Sequence, residues 1–169
     1  MKEINYLDAM RETTDRLAHG GAFLNVGGER PNTMTIGWGS VGVIWGKPIF
    51  TVMVRPQRHS YELLRRAGEF SVSVPTKNPL RRELAFAGSQ SGRDVDKFDG
   101  HGLSAIPAQI VRAPIVAECG LHFECRTLLM QDMTPENMAP EIMRSAYPGA
   151  DFHTLFFGEI LRCYRTDEA

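Results

Sequence analysis

Arg55 and Arg58 stand three residues apart in Val54-Arg55-Pro56-Gln57-Arg58-His59-Ser60-Tyr61-Glu62-Leu63. This is a tight loop set directly before a helical pattern that Ser60 would cap. At such a point the first helical N–H groups lack partners and the helix dipole is positive. With a hydroxyl and two guanidinium groups beside them, they could bind a phosphate. A plainer reading is a capped helix with solvated arginines, because capping needs only Ser60. Further on, Ser89-Gln90-Ser91-Gly92-Arg93-Asp94-Val95-Asp96-Lys97 could add hydroxyl and ammonium donors, or be a hydrated loop. Trp38 and Trp45 flank glycine-rich backbone, where a planar ring could approach main-chain amides; core tryptophans are the alternative.

Several other patterns do not carry the chemistry they imitate. Gly37, Gly39 and Gly42 match G-x-G-x-x-G, and Glu62 lies twenty residues beyond Gly42. A dinucleotide fingerprint needs a helix opening at those glycines. The chain instead continues as Val41-Gly42-Val43-Ile44-Trp45-Gly46-Lys47-Pro48, whose β-branched residues, glycines and proline suit strand and turn. The run from Asp94 to Gly100 imitates a calcium loop, but Phe98 occupies a ligand position and the glycine falls late. Gly88-Ser89-Gln90-Ser91-Gly92 has the glycines of a nucleophile elbow with Gln90 where the serine belongs. The five histidines are scattered, with no pair at metal spacing, so no metal site and no catalytic cluster is expected. Cys119 and Cys125 are expected on one strand and one face, about 20 Å apart, as buried inert thiols.

The elements that must position these residues are mostly strands. A short amphipathic helix is expected over Tyr6–Ala18, stopped by Gly20-Gly21. Strands are expected at 22–26, 34–41, 49–54 and 70–74, with a helix from Ser60 to Ala67 between the last two. Asn78-Pro79 should open a helix over 80–86. Residues 88–102 have no apolar period and form a long loop, a kind that is more often functional than not. Long β-patterns cover 117–130 and 154–164. Between them Thr134-Pro135-Glu136 starts a short helix that Pro140 limits. The sum is a mainly β protein: six or seven antiparallel strands, a closed barrel and a few short helices.

Composition agrees. A chain of 169 residues suits a single domain spanning 1–169, and 43% hydrophobic residues with a net charge of −1 describe an ordinary globule. Near-neutrality offers no footprint for nucleic acid. No run of eighteen apolar residues exists, so no membrane span is expected. The first residues lack the apolar core of a secretion signal, and three cysteines suit free thiols in a reducing compartment, so the cytoplasm is expected.

Five segments in combination resemble the flavin reductase-like FMN-binding proteins, and the flavoredoxin branch most. They are Asn32-x-Met34-Thr35-Ile36-Gly37-Trp38-Gly39; Ile44-Trp45-Gly46-Lys47-Pro48; Val54-Arg55-Pro56-x-Arg58-x-Ser60-Tyr61-Glu62-Leu63; Gly68-Glu69-Phe70; and Ser91-Gly92-Arg93-Asp94-Val95-Asp96-Lys97-Phe98. The similarity runs from about Ala22 to Met130. It implies a split β-barrel, a homodimer and FMN near the subunit interface. Met34, Thr35, Ile36, Gly37 and Trp38 would lie along the isoalloxazine, with backbone amides on its pyrimidine edge and Trp38 packed nearby. Arg55, Arg58 and Ser60 would hold the 5′-phosphate; Ser89, Ser91 and Lys97 would complete the phosphate and ribityl contacts. His59 stands where the family carries an aromatic such as tyrosine, a place for stacking or hydrogen bonding. The implied function is that of an oxidoreductase or electron carrier. NADH, NADPH or a redox partner protein would be the donor, and a storage or sensor module is the alternative.

Overall fold

The computed structural model describes residues 1–166. Its strands are β1 Lys2–Glu3, β2 Ala22–Val26, β3 Asn32–Ile36, β4 Gly39–Ile44, β5 Lys47–Val54, β6 Glu69–Val74, β7 Ala105–Ile106, β8 Ile115–Val116, β9 Leu121–Asp132 and β10 Thr154–Arg165. The helices are α1 Tyr6–Ala18, α2 His59–Ala67, α3 Arg81–Ser89 and α4 Pro140–Ala146, with a 3-10 turn at Pro135–Asn137. Seven strands pair antiparallel in the order β3-β2-β6-β9-β10-β5-β4, and β1 adds to β10. β7 and β8 form a separate small ribbon.

The order of the sheet dictates its shape. β3 and β4 lie at opposite ends, yet only Gly37 and Trp38 separate them in the chain. Three Cα steps from Ile36 to Gly39 span at most about 11 Å, so the sheet must curl until its two edges meet. A β-carbon on Gly39 would sit 2.6 Å from the Thr51 carbonyl oxygen, which leaves that position to glycine. The two edges do not form a ladder, so the barrel is split along this seam. This corrects the single strand expected over 34–41. The chain leaves one edge at Ile36 and joins the other at Gly39, and alternate amides of β3 face away from β2.

Leu24, Phe50, Val52, Phe70, Phe123 and Phe156 fill the barrel, with Phe50 edge-on to Phe123 at 5.1 Å. β2 is buried on both faces. Its outward Phe23 packs with Leu80, Leu84, Leu103 and Val116 in a second core that fixes α3. α1 begins at Asn5, whose Oδ1 accepts from the Leu7 amide, and buries Ala9, Thr13 and Leu17. The excursion from β6 to β9 is pinned by Glu124, a buried carboxylate that accepts from the Gln109, Ile110 and Val111 amides at 2.6–3.0 Å.

Other local expectations shift. Asn78 Oδ1 accepts from the Leu80 amide, but α3 begins only at Arg81 and runs on to Ser89. Pro140 opens α4 instead of limiting a helix, since proline at the first helical position gives up no intrahelical bond. Cys119 lies in the turn before β9, off the strand that holds Cys125; both are buried and free. Burial pushes the thiol pKa values of both well up, which suits inert sulfurs. Among the described residues no helix is long and apolar enough to cross a membrane.

Candidate functional site

Two cavities meet along the split in the barrel. The first, about 340 Å³, lies between the N-terminus of α2, β3 and the end of α3. Arg58, Ser60, Ser89, Ser91 and Lys97 bring polar groups into it, and His59 and Met34 also reach it. The second, about 370 Å³, runs along Met34, Thr35, Ile36, Gly37 and Trp38. Met34, Arg55 and Arg58 line both cavities, so the two are neighbours. Each of the twelve residues singled out in the sequence borders one or other of these two cavities.

The polar cavity is built by three segments. Ser60 is nearly fully buried at the second position of α2, and its Oγ accepts from Asn32 Nδ2 at 2.8 Å. It does not cap the helix. Arg58 occupies the cap position with extended backbone and without a side-chain cap bond, and its Nη1 donates to the Gly88 carbonyl at 2.9 Å. Gly92 brings the long loop against this wall. A β-carbon there would lie 2.1 Å from Asn32 Oδ1 and 3.0 Å from His59 Cδ2. Thr35 ties β3 to α3 by donating from Oγ1 to the Leu84 carbonyl at 2.6 Å.

Lys97 is the electrostatic centre of this cavity. Its side chain is 4% exposed, and Nζ donates to the Thr33 and Ala87 carbonyls, both at 2.8 Å. Among the described residues it has no carboxylate partner. Burial, with the nearby charge of Arg58, lowers its pKa to about 8. A buried ammonium with a third N–H to spare and only neutral acceptors is an incomplete charge pair. Burial, followed by Arg93, Lys97 and Arg30 in the same sense, also lowers the pKa of His59, whose buried Nδ1 has no hydrogen-bond partner.

Arg55 behaves differently from Arg58. Its Nη1 is paired with Asp151, its Nη2 donates to the Ala146 carbonyl at 3.3 Å, and its guanidinium lies 5.7 Å from the centre of the Tyr147 ring. It thus ties the cavity to the segment between α4 and β10. That segment carries His153, which no sequence pattern singles out. His153 lines the second cavity, stacks at a tilt on Trp38 with centroids 5.2 Å apart, and has Nδ1 2.9 Å from the Tyr147 hydroxyl. Burial first, then Arg55, pushes its pKa down to about 4, so the ring is neutral at pH 7. No spacing signal marks His153, because only the fold brings it beside Trp38. Trp38 itself is 46% exposed and Trp45 58%, so neither is a core tryptophan. Beyond Trp38 and Met53 an apolar groove of about 730 Å³ continues over Met133, Met138 and Ile142.

Comparison with known proteins agrees with this architecture. A family model described as flavin reductase like domain matches residues 14–169. An uncharacterized protein of Archaeoglobus fulgidus is 30% identical over 141 residues, covering 83% of this chain and 69% of that protein. The flavoredoxin of Desulfovibrio vulgaris (Miyazaki F) superposes with a TM-score of 0.68 at 24% identity, over 87% of this chain and 69% of its own. An NADH:FAD oxidoreductase of Streptomyces globisporus gives 0.66 at 23% identity, over 88% and 76%.

Proposed function

The chain belongs to the flavin reductase like family, and from that premise we propose that it binds FMN in the paired cavities as an oxidoreductase or electron carrier. A single observation carries the reading: a polar, cation-lined cavity lies beside a slot along the free edge of β3, with Met34, Arg55 and Arg58 lining both. That is a head for a phosphate and a bed for a flat ring. The residues fit the group. Lys97 is a buried cation whose charge a phosphate dianion would balance, and Gly92 lets the long loop pack against Asn32 and His59 at the cavity wall.

In this reading Lys97, Arg58, Ser60, Ser89 and Ser91 hold the phosphate and the adjoining ribityl chain, with Arg55 and His59 at the margins. The backbone of 34–38 offers hydrogen bonds to the ring's pyrimidine edge, and Trp38 packs beside it. When bound, FMN supplies the redox chemistry, taking hydride or electrons at N5, while the protein orients it and shields it from water. Neutral His153 offers a hydrogen bond beside Trp38 without placing a charge there. The groove past Met53 suits a transient NADH or NADPH, or a surface of a redox partner protein, because Met and Trp accept flat apolar groups adaptably.

A homodimer is part of the proposal. Val43 and Trp45 are 62% and 58% exposed, Trp45 packs edge-on to Phe157, and Leu128 and Leu129 of β9 are also exposed. An apolar face of that kind suits a second copy, near the site through Trp38. The test is the visible spectrum of the purified protein, followed by anaerobic addition of NADH and then NADPH. A flavin spectrum that bleaches rapidly establishes a nicotinamide-dependent flavoenzyme. A stable spectrum points to a carrier fed by a protein, or to a storage or sensor module. No flavin after incubation with FMN defeats the reading.

A further inference from the structure

The Lys97 cavity already shares two of its donors with a carboxylate, and that carboxylate comes from far along the chain. Asp151 Oδ2 accepts from Arg55 Nη1 and, at 3.1 Å, from Gln57 Nε2. Both donors line the cavity. Of the three cations there, Arg58 and Lys97 donate to carbonyls; Arg55 alone has a carboxylate partner among the described residues. We propose that Asp151 and the flavin phosphate compete for Arg55, so that binding the phosphate unlatches the 146–153 segment. The proposal rests on the flavin reading above and adds to it a coupling between the phosphate cavity and the apolar groove.

What the latch holds is the first argument. α4 buries none of its side chains. Its Ile142 and Ala146 line the apolar groove together with Met53 of β5 and Leu155 of β10. The end of α4 is fastened by Tyr147, which is 3% exposed and has its hydroxyl 2.9 Å from His153 Nδ1 and 3.2 Å from Met133 Sδ. The other fastening is Arg55, which engages Asp151, the Ala146 carbonyl and the face of Tyr147. Ala150, just before Asp151, has a φ of 55°, in the left-handed region that a β-carbon disfavours. A segment with an unburied helix and a strained turn depends on its latch.

Charge is the second. A guanidinium presents a planar fork of donors that fits a carboxylate and a phosphate equally well in shape. The two anions differ in strength. Asp151 carries one charge on a side chain that is 35% exposed, where solvent screens it. A phosphate beside Lys97 and Arg58 carries nearly two charges in a less hydrated place. Arg55 therefore favours the phosphate once it is present, and the phosphate then repels Asp151 as a like charge. Gln57, a neutral donor, is left as the remaining partner of Asp151.

The consequence lies at the groove. With Arg55 withdrawn, α4 is free to move off Met53 and Leu155, and the groove beside Trp38 widens. Asp151 thus acts through Arg55 as a positioning residue, and it lowers the affinity for a flavin phosphate without touching the ring. The coupling is reciprocal. A molecule that enters the groove only when the segment is released raises FMN affinity by the factor by which FMN raises its own.

The test is hydrogen exchange over 146–153 in the apoprotein and with riboflavin, FMN or inorganic phosphate, alongside fluorescence titration of both flavins. FMN should speed exchange there severalfold, and riboflavin, which has the ring without the phosphate, should leave it unchanged. Asp151→Asn should exchange faster without ligand and bind FMN about fivefold to tenfold tighter. Its riboflavin affinity should stay the same, which also certifies that the variant folds. In Arg55→Ala exchange should be fast in every state and indifferent to FMN. Equal responses to FMN and riboflavin would trace the change to the ring and overturn the latch. Slower exchange with FMN, or weaker FMN binding in Asp151→Asn, would mean that Arg55 bridges both anions and would overturn it too. Either result leaves the flavin site standing. If neither flavin binds, the flavin reading fails and inorganic phosphate alone decides the latch: faster exchange in saturating phosphate supports it, and unchanged exchange overturns it.

Discussion

Lys97 makes FMN affinity depend on pH in a way that riboflavin affinity does not. Burial lowers its pKa from the ordinary lysine value of 10.5 to about 8, a drop of about 2.5 pH units. At about 1.36 kcal/mol per pH unit, keeping this ammonium charged without an anion costs ~3.4 kcal/mol at most. A phosphate dianion on Nζ removes that cost and returns the pKa toward its ordinary value. Binding above pH 8 must then take up a proton. The protonated fraction of Lys97 in the apoprotein falls about thirtyfold between pH 7 and pH 9.5, and FMN affinity should fall with it. The phosphate is already a dianion through that range, since its second pKa is about 6. Riboflavin has the same ring and no phosphate, so its affinity should stay flat. Lys97→Met should flatten the FMN profile and weaken binding at pH 7 by ~1.5–3 kcal/mol, the contribution of a charged hydrogen bond. Stability of the apoprotein should move the opposite way. The unfolded chain holds this proton more tightly, so stability rises as pH increases from 8 toward 10.5. Fluorescence titrations with both flavins across pH 7–9.5 provide the assay. Equal slopes for FMN and riboflavin, or an unchanged FMN affinity in Lys97→Met, would refute the charge-pairing argument.

The same geometry sets further outcomes. His153, held down to about pKa 4, contributes stability that is fully present above pH 6.5 and is lost as pH falls through 4, up to ~3 kcal/mol. Urea midpoints at pH 7 and pH 5 should differ in the native protein and converge in His153→Phe. Arg58→Ala should weaken FMN by ~1.5–3 kcal/mol in a fluorescence titration. Arg55→Ala should, in addition, speed hydrogen exchange over 146–153, because its guanidinium holds Asp151, Ala146 and Tyr147. Gly92→Ala forces a methyl into Asn32 and should cost ~1–3 kcal/mol of stability along with flavin affinity. Gly42→Ala meets nothing within 4 Å and should change neither by more than ~0.5 kcal/mol, as expected if the glycine pattern there is accidental.

How much of this is legible in the sequence depends on whether a feature is local. The strands at 22–26 and 70–74, α2 and the cationic residues before it, and the glycine-rich loop ending at Lys97 are all written in short segments with clear period or turn chemistry. Ser60 imitates a cap because a serine before a helical pattern fits that signal, whereas Asn32, twenty-eight residues away, claims its hydroxyl. The strand expected over 34–41 fails for a topological reason. Period-2 patterning cannot reveal that the chain changes sheet edge at Gly37-Trp38. Pro140 reads as a stop but acts as a start, because proline is tolerated in the first turn and nowhere later.

The unequal fates of Arg55 and Arg58 show why the remainder is not legible. In sequence they are alike: two guanidinium groups on one loop, three residues apart. In the fold Arg58 stays with the α3 end of the Lys97 cavity, while Asp151 turns Arg55 toward the 146–153 segment. That segment returns to the site only because β9 and β10 pair along nearly their whole length. The pairing carries the connection between them back to Trp38, against which Tyr147 and His153 pack. Arg55 thus reaches both the Lys97 cavity and the Trp38–His153 corner, and Met34 and Arg58 are the other residues lining both halves. A residue that joins two halves of a site is defined by what lies at each end of it, and one of those ends lies about ninety residues away in the chain.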